Sequence, residues 1–208
     1  MSHRFACLLV VIAVALVCGC HGDGDGDGEP SIDFGDNDPL RYIAIGDSIT
    51  RGFEGSPGYP AFLALILGVP IENRGLGSAT TADGISKARS ALKSKPGFLL
   101  ILYGSNDALQ GRGSDAAEAN LREIVRMAVA NKTVPVIATV PHILPPRHLF
   151  TSSASRISER IRLLAAEEGA RLVELRDRLG ADPALFQDGL HPTPETDALI
   201  AELWAEHL

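Results

Sequence analysis

Three short polar motifs in this 208-residue chain hold residue types that could act together in nucleophilic catalysis. The first contains Ser48, the second Asn106, and the third both Asp188 and His191, in the sequences GDSIT (46–50), GSND (104–107) and DGLHP (188–192). A serine hydroxyl is a weak nucleophile at neutral pH and needs a base within hydrogen-bond reach. Histidine titrates in a suitable range, and a carboxylate on its second ring nitrogen fixes the tautomer and stabilises the imidazolium. Since Asp188 lies three residues before His191, one loop can supply both groups.

Each motif also has a simpler structural interpretation. The GDS segment could form an Asx-type turn in which a side chain caps a helix. Asn106 could be an ordinary turn residue, while Asp188 and His191 could be a helix cap and a surface histidine. The position of the motifs favours the catalytic interpretation, because each lies where a strand ends or a helix begins.

Short apolar runs alternate with longer helical patterns after Pro39. Strands are predicted at 41–46, 69–73, 98–103, 134–140 and 171–175, and helices near 58–67, 80–93, 114–131, 153–168 and 193–206. The third and fourth strands are almost continuous runs of apolar residues, which is typical of a parallel sheet that helices cover on both faces. The sequence therefore predicts an α/β protein, a three-layer α/β/α sandwich around a five-stranded parallel sheet.

In such folds, the functional site lies beyond the carboxyl ends of the strands. The predicted strands place Ser48, the loop around Gly77 and Ser78, and Asn106 along that edge of the sheet. The loop with Asp188 and His191 must return to the same edge for the catalytic interpretation to hold.

The motifs, in this order, resemble those of the GDSL or SGNH hydrolase family, and the resemblance covers the chain from about Leu40 to its end. It is closest to bacterial envelope acyl-thioesterases, lysophospholipases and arylesterases. The segment LYGSNDALQGRG, residues 102–113, is similar to their third sequence block. The resemblance implies the flavodoxin-like SGNH fold.

The same resemblance implies a role for each matching residue. Ser48 matches the nucleophile of the first block, and Asn106 matches the oxyanion-hole asparagine of the third. Asp188 and His191 match the acid and base of the last block. Ser48 would also donate its backbone N–H to the oxyanion hole. Asp47 and Asp107, which flank these candidates, are interpreted as acceptors that hold the loops in place.

The second block departs from the family pattern. It usually reads Asn-x-Gly-x-Ser/Gly-Gly-x-Thr, whereas here residues 73–80 read NRGLGSAT. The usual oxyanion glycine falls on Ser78, with a glycine one residue earlier at Gly77. Either residue could supply the backbone N–H donor. A serine is poorly suited if the local backbone needs a positive φ.

Other catalytic and cofactor motifs are absent from the sequence. There is no G-x-S-x-G elbow, no complete dinucleotide fingerprint and no Walker A motif. His142 and His148 lie in an apolar loop that does not suggest a metal cluster. We therefore expect neither a metal nor a cofactor.

The N-terminus has the features of a bacterial lipoprotein signal. Arg4 precedes an apolar run over residues 5–17, which is too short to span a bilayer and suits a signal-peptide core. The run ends in VCGC, residues 17–20, which resembles a lipobox. Cys20 is the better lipidation site than Cys18 because the small Gly19 precedes it. An ordinary signal peptide with incidental cysteines is the alternative.

These features divide the chain into a signal peptide (1–19), a Gly/Asp-rich tether (20–38) and a hydrolase domain (39–208). Seven of the 26 acidic residues lie in the tether, so the net charge of −7 belongs mostly to that segment. The nearly neutral domain has no basic footprint for nucleic acid. We expect a monomer in the cell envelope, held at the inner or outer membrane by lipid on Cys20.

Three loops are expected to wall the site, over residues 53–59, 108–113 and 141–150. Ile143, Leu144, Leu149 and Phe150 in the last loop favour an acyl chain over a sugar. The expected substrates are small acyl esters, including lysophospholipids or thioesters, cleaved through an acyl-enzyme. The alternatives are a carbohydrate O-deacetylase or O-acetyltransferase, and an envelope lipoprotein without catalytic activity.

Overall fold

Five parallel strands form one sheet in the computed structural model, which describes residues 32–208. The strands are β1 (Asp38–Gly46), β2 (Ile71–Asn73), β3 (Pro96–Leu102), β4 (Val134–Ala138) and β5 (Arg171–Val173). Their order across the sheet is β2-β1-β3-β4-β5, and every neighbouring pair is parallel. This is the flavodoxin-like order, in which the chain reverses direction across the sheet between β1 and β3. The predicted fold class is confirmed.

Within residues 32–208, eight α-helices connect and cover the strands. They are α1 (Ser48–Arg51), α2 (Tyr59–Leu67), α3 (Thr81–Leu92), α4 (Ser105–Leu109), α5 (Ser114–Ala130), α6 (Thr151–Glu168), α7 (Leu175–Leu179) and α8 (Pro194–Ala205). Short 3₁₀ turns lie at His148–Phe150 and Pro183–Leu185. The three shortest helices, α1, α4 and α7, were not predicted, because four or five residues are too few to show a helical period.

The core has two layers because side chains alternate along each strand. In β3, Leu99 and Ile101 face a layer built with α3, α5 and α6. Leu100 and Leu102 face the opposite layer, built with α2, α7 and α8. Every residue of β3 is buried, which explains why its sequence is a continuous apolar run. The sheet is thus a rigid base for the loops at its carboxyl edge.

The folded unit begins earlier than the boundary predicted at Pro39. Asp33 and Lys132 form an ion pair of 2.6 Å, Phe34 packs against Phe98, and the Asn37 amide donates to a carbonyl of the loop before β4. The compact unit accordingly runs from residue 33 to residue 208. Residues 20–31 of the predicted tether, which include Cys20, and the predicted signal peptide lie outside the described residues. Across residues 32–208, every helix is too short or too polar to span a lipid bilayer.

Candidate active site

Ser48 lies just beyond the carboxyl end of β1, the strand between β2 and β3 in the sheet, and is the first residue of α1. The cap of this helix is Asp47, whose carboxylate accepts a hydrogen bond of 2.9 Å from the Ile49 N–H. The Ser48 hydroxyl is therefore free of the capping role, and it contacts Nε2 of His191 at 2.9 Å instead. Gly46 allows this sharp turn, because a Cβ there would lie 2.0 Å from the Thr50 hydroxyl.

The loop before α8 brings His191 and Asp188 to the serine. Nδ1 of His191 lies 3.0 and 3.1 Å from the two carboxylate oxygens of Asp188. A carboxylate can only accept, so Nδ1 carries a proton and Nε2 is left to accept the proton of the Ser48 hydroxyl. The three residues form one continuous chain of hydrogen bonds, although the serine and histidine are 143 positions apart.

The environment keeps the Asp188 carboxyl ionised. Burial alone would raise its pKa, but hydrogen bonds from the His191 backbone and ring and from the Leu190 N–H outweigh that effect and lower it. A carboxylate held as an anion beside Nδ1 favours the imidazolium that a general base forms.

Close backbone contacts hold the loop of residues 186–192 in shape. The Gln187 N–H donates to the His191 carbonyl at 2.8 Å, and Phe186 and Pro192 form an isolated antiparallel bridge. Gly189 has a φ of +80°, and a Cβ there would lie 2.2 Å from the Pro145 carbonyl oxygen. Both the positive φ and the close approach of the Pro145 carbonyl require a glycine at this position. The conformation of residues 189–191 therefore depends on the packed Pro145 backbone as well as on their own sequence.

Phe53 covers one face of the His191 ring. The two rings are nearly parallel, with centroids 3.7 Å apart and planes inclined by 6°. Phe53 lies in the predicted wall of residues 53–59, but the sequence does not predict this stack. No local pattern indicates it, because the contact joins a loop after α1 to a loop almost 140 residues later.

Asn106 reaches the site from the start of α4, after strand β3. Its Nδ2 donates to the Ala79 carbonyl at 2.9 Å and lies 3.4 Å from a carboxylate oxygen of Asp47. These contacts hold the amide between the first and second sequence blocks. An amide N–H there can serve as an oxyanion donor once a substrate oxygen competes with the long contact to Asp47.

The loop of residues 74–80 is bound to the nucleophile turn by a backbone hydrogen bond, and the side chain of Asn73, just before the loop, adds a second bond. The Leu76 N–H donates to the Gly46 carbonyl at 2.9 Å, and the Asn73 amide donates to the Thr50 carbonyl at 2.7 Å. In this loop Ser78 has a φ of +62°. The second block does contain a residue with a positive φ, and that residue is the serine rather than a glycine. At Gly77 a Cβ would lie 2.7 Å from Nη1 of Arg51, the end of a flexible, exposed side chain that can shift, so this contact does not require a glycine.

Asp47 and Asp107 are both buried and accept hydrogen bonds from neighbouring loops. Asp107 accepts from the Thr81 N–H at 2.9 Å and from its hydroxyl at 2.6 Å, which ties α4 to the start of α3. Burial raises the pKa of the Asp47 carboxyl to about 7, against the hydrogen bond from Ile49. Neither carboxylate contacts His191, which fits the predicted role in holding the loops.

The predicted apolar wall at residues 141–150 needs correction. Ile143 is part of the core, and Leu144 is also buried, because the first half of the loop packs inward. Leu149 and Phe150 do reach the surface, with 81% and 36% of their area exposed. Only the second half of the loop can therefore present apolar surface to a ligand.

His142 and His148 do not join the triad. His142 is half-buried, and burial lowers the pKa of its ring, while His148 is exposed. Among residues 32–208, no cluster of three or more histidine, cysteine or acidic side chains is arranged to hold a metal ion.

Known proteins resemble this chain in sequence and in fold. The chain is 25% identical over 175 residues to thioesterase 1/protease 1/lysophospholipase L1 of Escherichia coli K12, covering 80% of this chain and 82% of the relative. It is 24% identical over 178 residues to an arylesterase of Vibrio mimicus, covering 81% and 88%.

Among solved structures, a member of the lipolytic protein G-D-S-L family from Veillonella parvula DSM 2008 superposes with a TM-score of 0.69. It is 22% identical to this protein, and the match covers 80% of this chain and 96% of that one. Residues 44–199 match the GDSL-like Lipase/Acylhydrolase family, a span that includes Ser48, Asn106, Asp188 and His191. The chain therefore belongs to the GDSL-like lipase/acylhydrolase family, whose members act as hydrolases on esters.

Proposed function

We propose that the protein is a serine esterase that cleaves acyl esters through an acyl-enzyme intermediate. The observation that carries the proposal is the chain of hydrogen bonds from the Asp188 carboxylate through His191 to the Ser48 hydroxyl, with contacts of 3.0 and 2.9 Å. This arrangement allows His191 to take the serine proton as Ser48 attacks a carbonyl carbon. His191 would later donate this proton to the leaving alcohol or thiol.

The tetrahedral intermediate needs donors for its oxyanion, and we infer three donors for this role. They are the backbone N–H of Ser48, a backbone N–H of Gly77 or Ser78, and the Asn106 amide. Within residues 32–208, the backbone N–H groups of Ser48, Gly77 and Ser78 donate to no backbone carbonyl. One such donor is worth on the order of 10²–10³ in rate. Water, activated by His191, then hydrolyses the acyl-enzyme.

The substrate class that we propose is a small acyl ester, with lysophospholipids and thioesters included. Exposed apolar side chains at Leu149 and Phe150 favour an acyl chain near the site. The names of two relatives, an arylesterase and a thioesterase/lysophospholipase, support the same class.

We also propose that lipid on Cys20 anchors the protein in the cell envelope. The support is the apolar run at residues 5–17, the VCGC segment and the Gly/Asp-rich stretch that follows. Mass spectrometry of the mature N-terminus tests this proposal. A terminus at an acylated Cys20 supports the anchor, and an unmodified terminus at any later residue contradicts it.

The test of the activity is a series of substrates assayed with the purified protein. The series contains p-nitrophenyl esters of increasing acyl length, acyl-CoA, a lysophospholipid and an acetylated oligosaccharide, each with Ser48→Ala as the matched control. We expect turnover of at least one acyl ester by the wild type and none by the variant. Hydrolysis of acetylated oligosaccharide alone would contradict the proposed substrate class, and no turnover at all would contradict the esterase.

A further inference from the structure

One arginine outside the triad binds the triad acid from a neighbouring loop. Nη1 of Arg147 donates to the Asp188 carbonyl at 2.7 Å and lies 3.2 Å from Oδ2 of the same residue. Oδ2 is also the oxygen that contacts Nδ1 of His191 at 3.0 Å. The guanidinium therefore holds both the backbone and the carboxylate of Asp188.

The contact joins two loops that are 41 positions apart in sequence. Arg147 closes a turn in which its N–H donates to the Leu144 carbonyl at 2.8 Å. In the same turn the Leu144 N–H donates to the Gly189 carbonyl at 2.7 Å. The Pro145 carbonyl lies so close to Gly189 that a Cβ on the glycine would be 2.2 Å away. The turn of residues 144–147 and the loop of the triad acid thus form one packed unit.

The carboxylate needs such support because it is not enclosed. The Asp188 side chain is 29% exposed, and its other donors all come from its own loop, at Leu190 and His191. Since an exposed carboxylate can turn toward water, a donor from outside the loop restricts its orientation. Arg147 is itself partly exposed, with 36% of its side chain accessible, so its charge is only partly screened.

We propose that Arg147 is a positioning residue, which sets the orientation and the effective charge of Asp188 and ties the triad to the apolar Leu149–Phe150 end of its own loop. The proposal rests on the esterase proposed above. It assigns no contact with the reacting atoms to Arg147. Its effect passes through Asp188 to the imidazole of His191.

The charge of Arg147 has an effect of predictable sign. A cation beside the carboxylate opposes the stabilisation of the imidazolium, so its removal should favour the protonated ring. The acid limb of the pH profile of kcat/KM then moves to higher pH, by about 0.5–1 unit for a charge that is separated from the ring by one carboxylate oxygen in a partly solvated site. Loss of orientation lowers kcat by about tenfold, since small misplacements of catalytic groups are costly.

The experiment compares Arg147→Met, Arg147→Lys and Arg156→Met, where Arg156 is an exposed arginine on the nearby helix α6. Arg147→Met should lower kcat about tenfold with KM within twofold, and should shift the acid limb upward. Arg147→Lys keeps the charge, so the acid limb should stay in place while kcat recovers only in part. Arg156→Met should match the wild type in both measurements.

A titration of the His191 imidazole by NMR separates this proposal from the proposed function, because it needs no turnover. An upward shift of the titration midpoint in Arg147→Met supports the role of Arg147 even if no ester is hydrolysed. If Arg147→Met does not fold, Arg147→Gln replaces it, because it removes the charge and keeps a donor for the Asp188 carbonyl. A kcat and a titration midpoint equal to those of Arg156→Met would overturn the proposal.

Discussion

Phe53 and His191 lie face to face, with ring centroids 3.7 Å apart. The stack restricts rotation of the imidazole about its side-chain bonds and shields one face from water. Offset-stacked and edge-to-face aromatic pairs contribute about 0.5–1.5 kcal/mol beyond the area that they bury, and that range sets the scale for this closer stack.

We predict that Phe53→Leu lowers kcat/KM by about 2- to 10-fold, because an aliphatic side chain covers the ring without stacking on it. Phe53→Tyr keeps the aromatic face and should retain most of the activity. Steady-state kinetics on one p-nitrophenyl ester compares the two variants. Full activity of Phe53→Leu would show that the stack does not orient the base.

Ser78 should be a site where glycine stabilises the protein. A non-glycine residue with a φ of +62° is strained by about 1–2 kcal/mol, which glycine does not suffer. Glycine also has more conformational freedom in the unfolded chain, which offsets part of this gain. We therefore expect Ser78→Gly to raise the free energy of unfolding by only about 0.5–1 kcal/mol. Ser78→Ala keeps the Cβ and serves as the control, for which we expect no rise in the free energy of unfolding. Urea unfolding curves decide, and equal midpoints for the two variants would contradict the strain.

Asp197 should make stability depend on pH. This buried residue of α8 accepts a hydrogen bond of 2.5 Å from the Ser56 hydroxyl, in the loop that carries Phe53. Burial raises its pKa to about 6, against the hydrogen bond from Ser56. Because the folded pKa lies above that of an unfolded aspartate, about 3.9, the protonated form is the stabilising one. Its contribution is complete below about pH 4 and is lost as the pH rises through 6.

We therefore predict that Asp197→Asn flattens this dependence, since the amide oxygen still accepts from Ser56. Between pH 4 and 7, the wild type should lose up to about 3 kcal/mol of unfolding free energy relative to the variant. Glu195→Gln, an exposed acid on the same helix, is the matched control. Parallel stability curves for the wild type and Asp197→Asn would rule out a shifted carboxyl at this position.

The sequence predicted the sheet and the meeting of the three motifs well, for a physical reason. Strands such as β3 are buried on both faces, so their apolar runs are strong local signals. The carboxyl ends of parallel strands share one edge, which brings Ser48 and Asn106 together without further information. The loop of Asp188 and His191 is short enough that its own spacing predicts the contact between them.

Contacts between distant loops could not be predicted in the same way. The stack of Phe53 on His191 and the bond of Arg147 to Asp188 depend on how separate loops pack, and no period or spacing records them. The burial of Ile143 was missed for a related reason. An apolar residue in a loop can face either the core or the ligand, and only the packing of the folded chain decides.

Asn106 offers a test of the oxyanion hole that is independent of the nucleophile. Its amide is held by the Ala79 carbonyl at 2.9 Å, ready to donate to an oxygen that becomes charged in the transition state. We predict that Asn106→Ala lowers kcat about 100-fold, or about 2.7 kcal/mol, with little change in KM. Asn120→Ala, which removes a nearby amide bonded to the Thr81 hydroxyl, is the control. A rise in KM with unchanged kcat would instead assign Asn106 to substrate binding.

The role of Ser48 decides the whole account, and one reagent tests it directly. Because Asp47 caps α1, Ser48→Ala should leave the free energy of unfolding within about 1 kcal/mol of the wild type. It should also remove turnover almost completely. A fluorophosphonate should modify the wild-type protein at one residue, and peptide mapping by mass spectrometry should place it on Ser48. Turnover by Ser48→Ala, or modification at Ser78 or Ser105 instead, would contradict the assignment of Ser48 as the nucleophile.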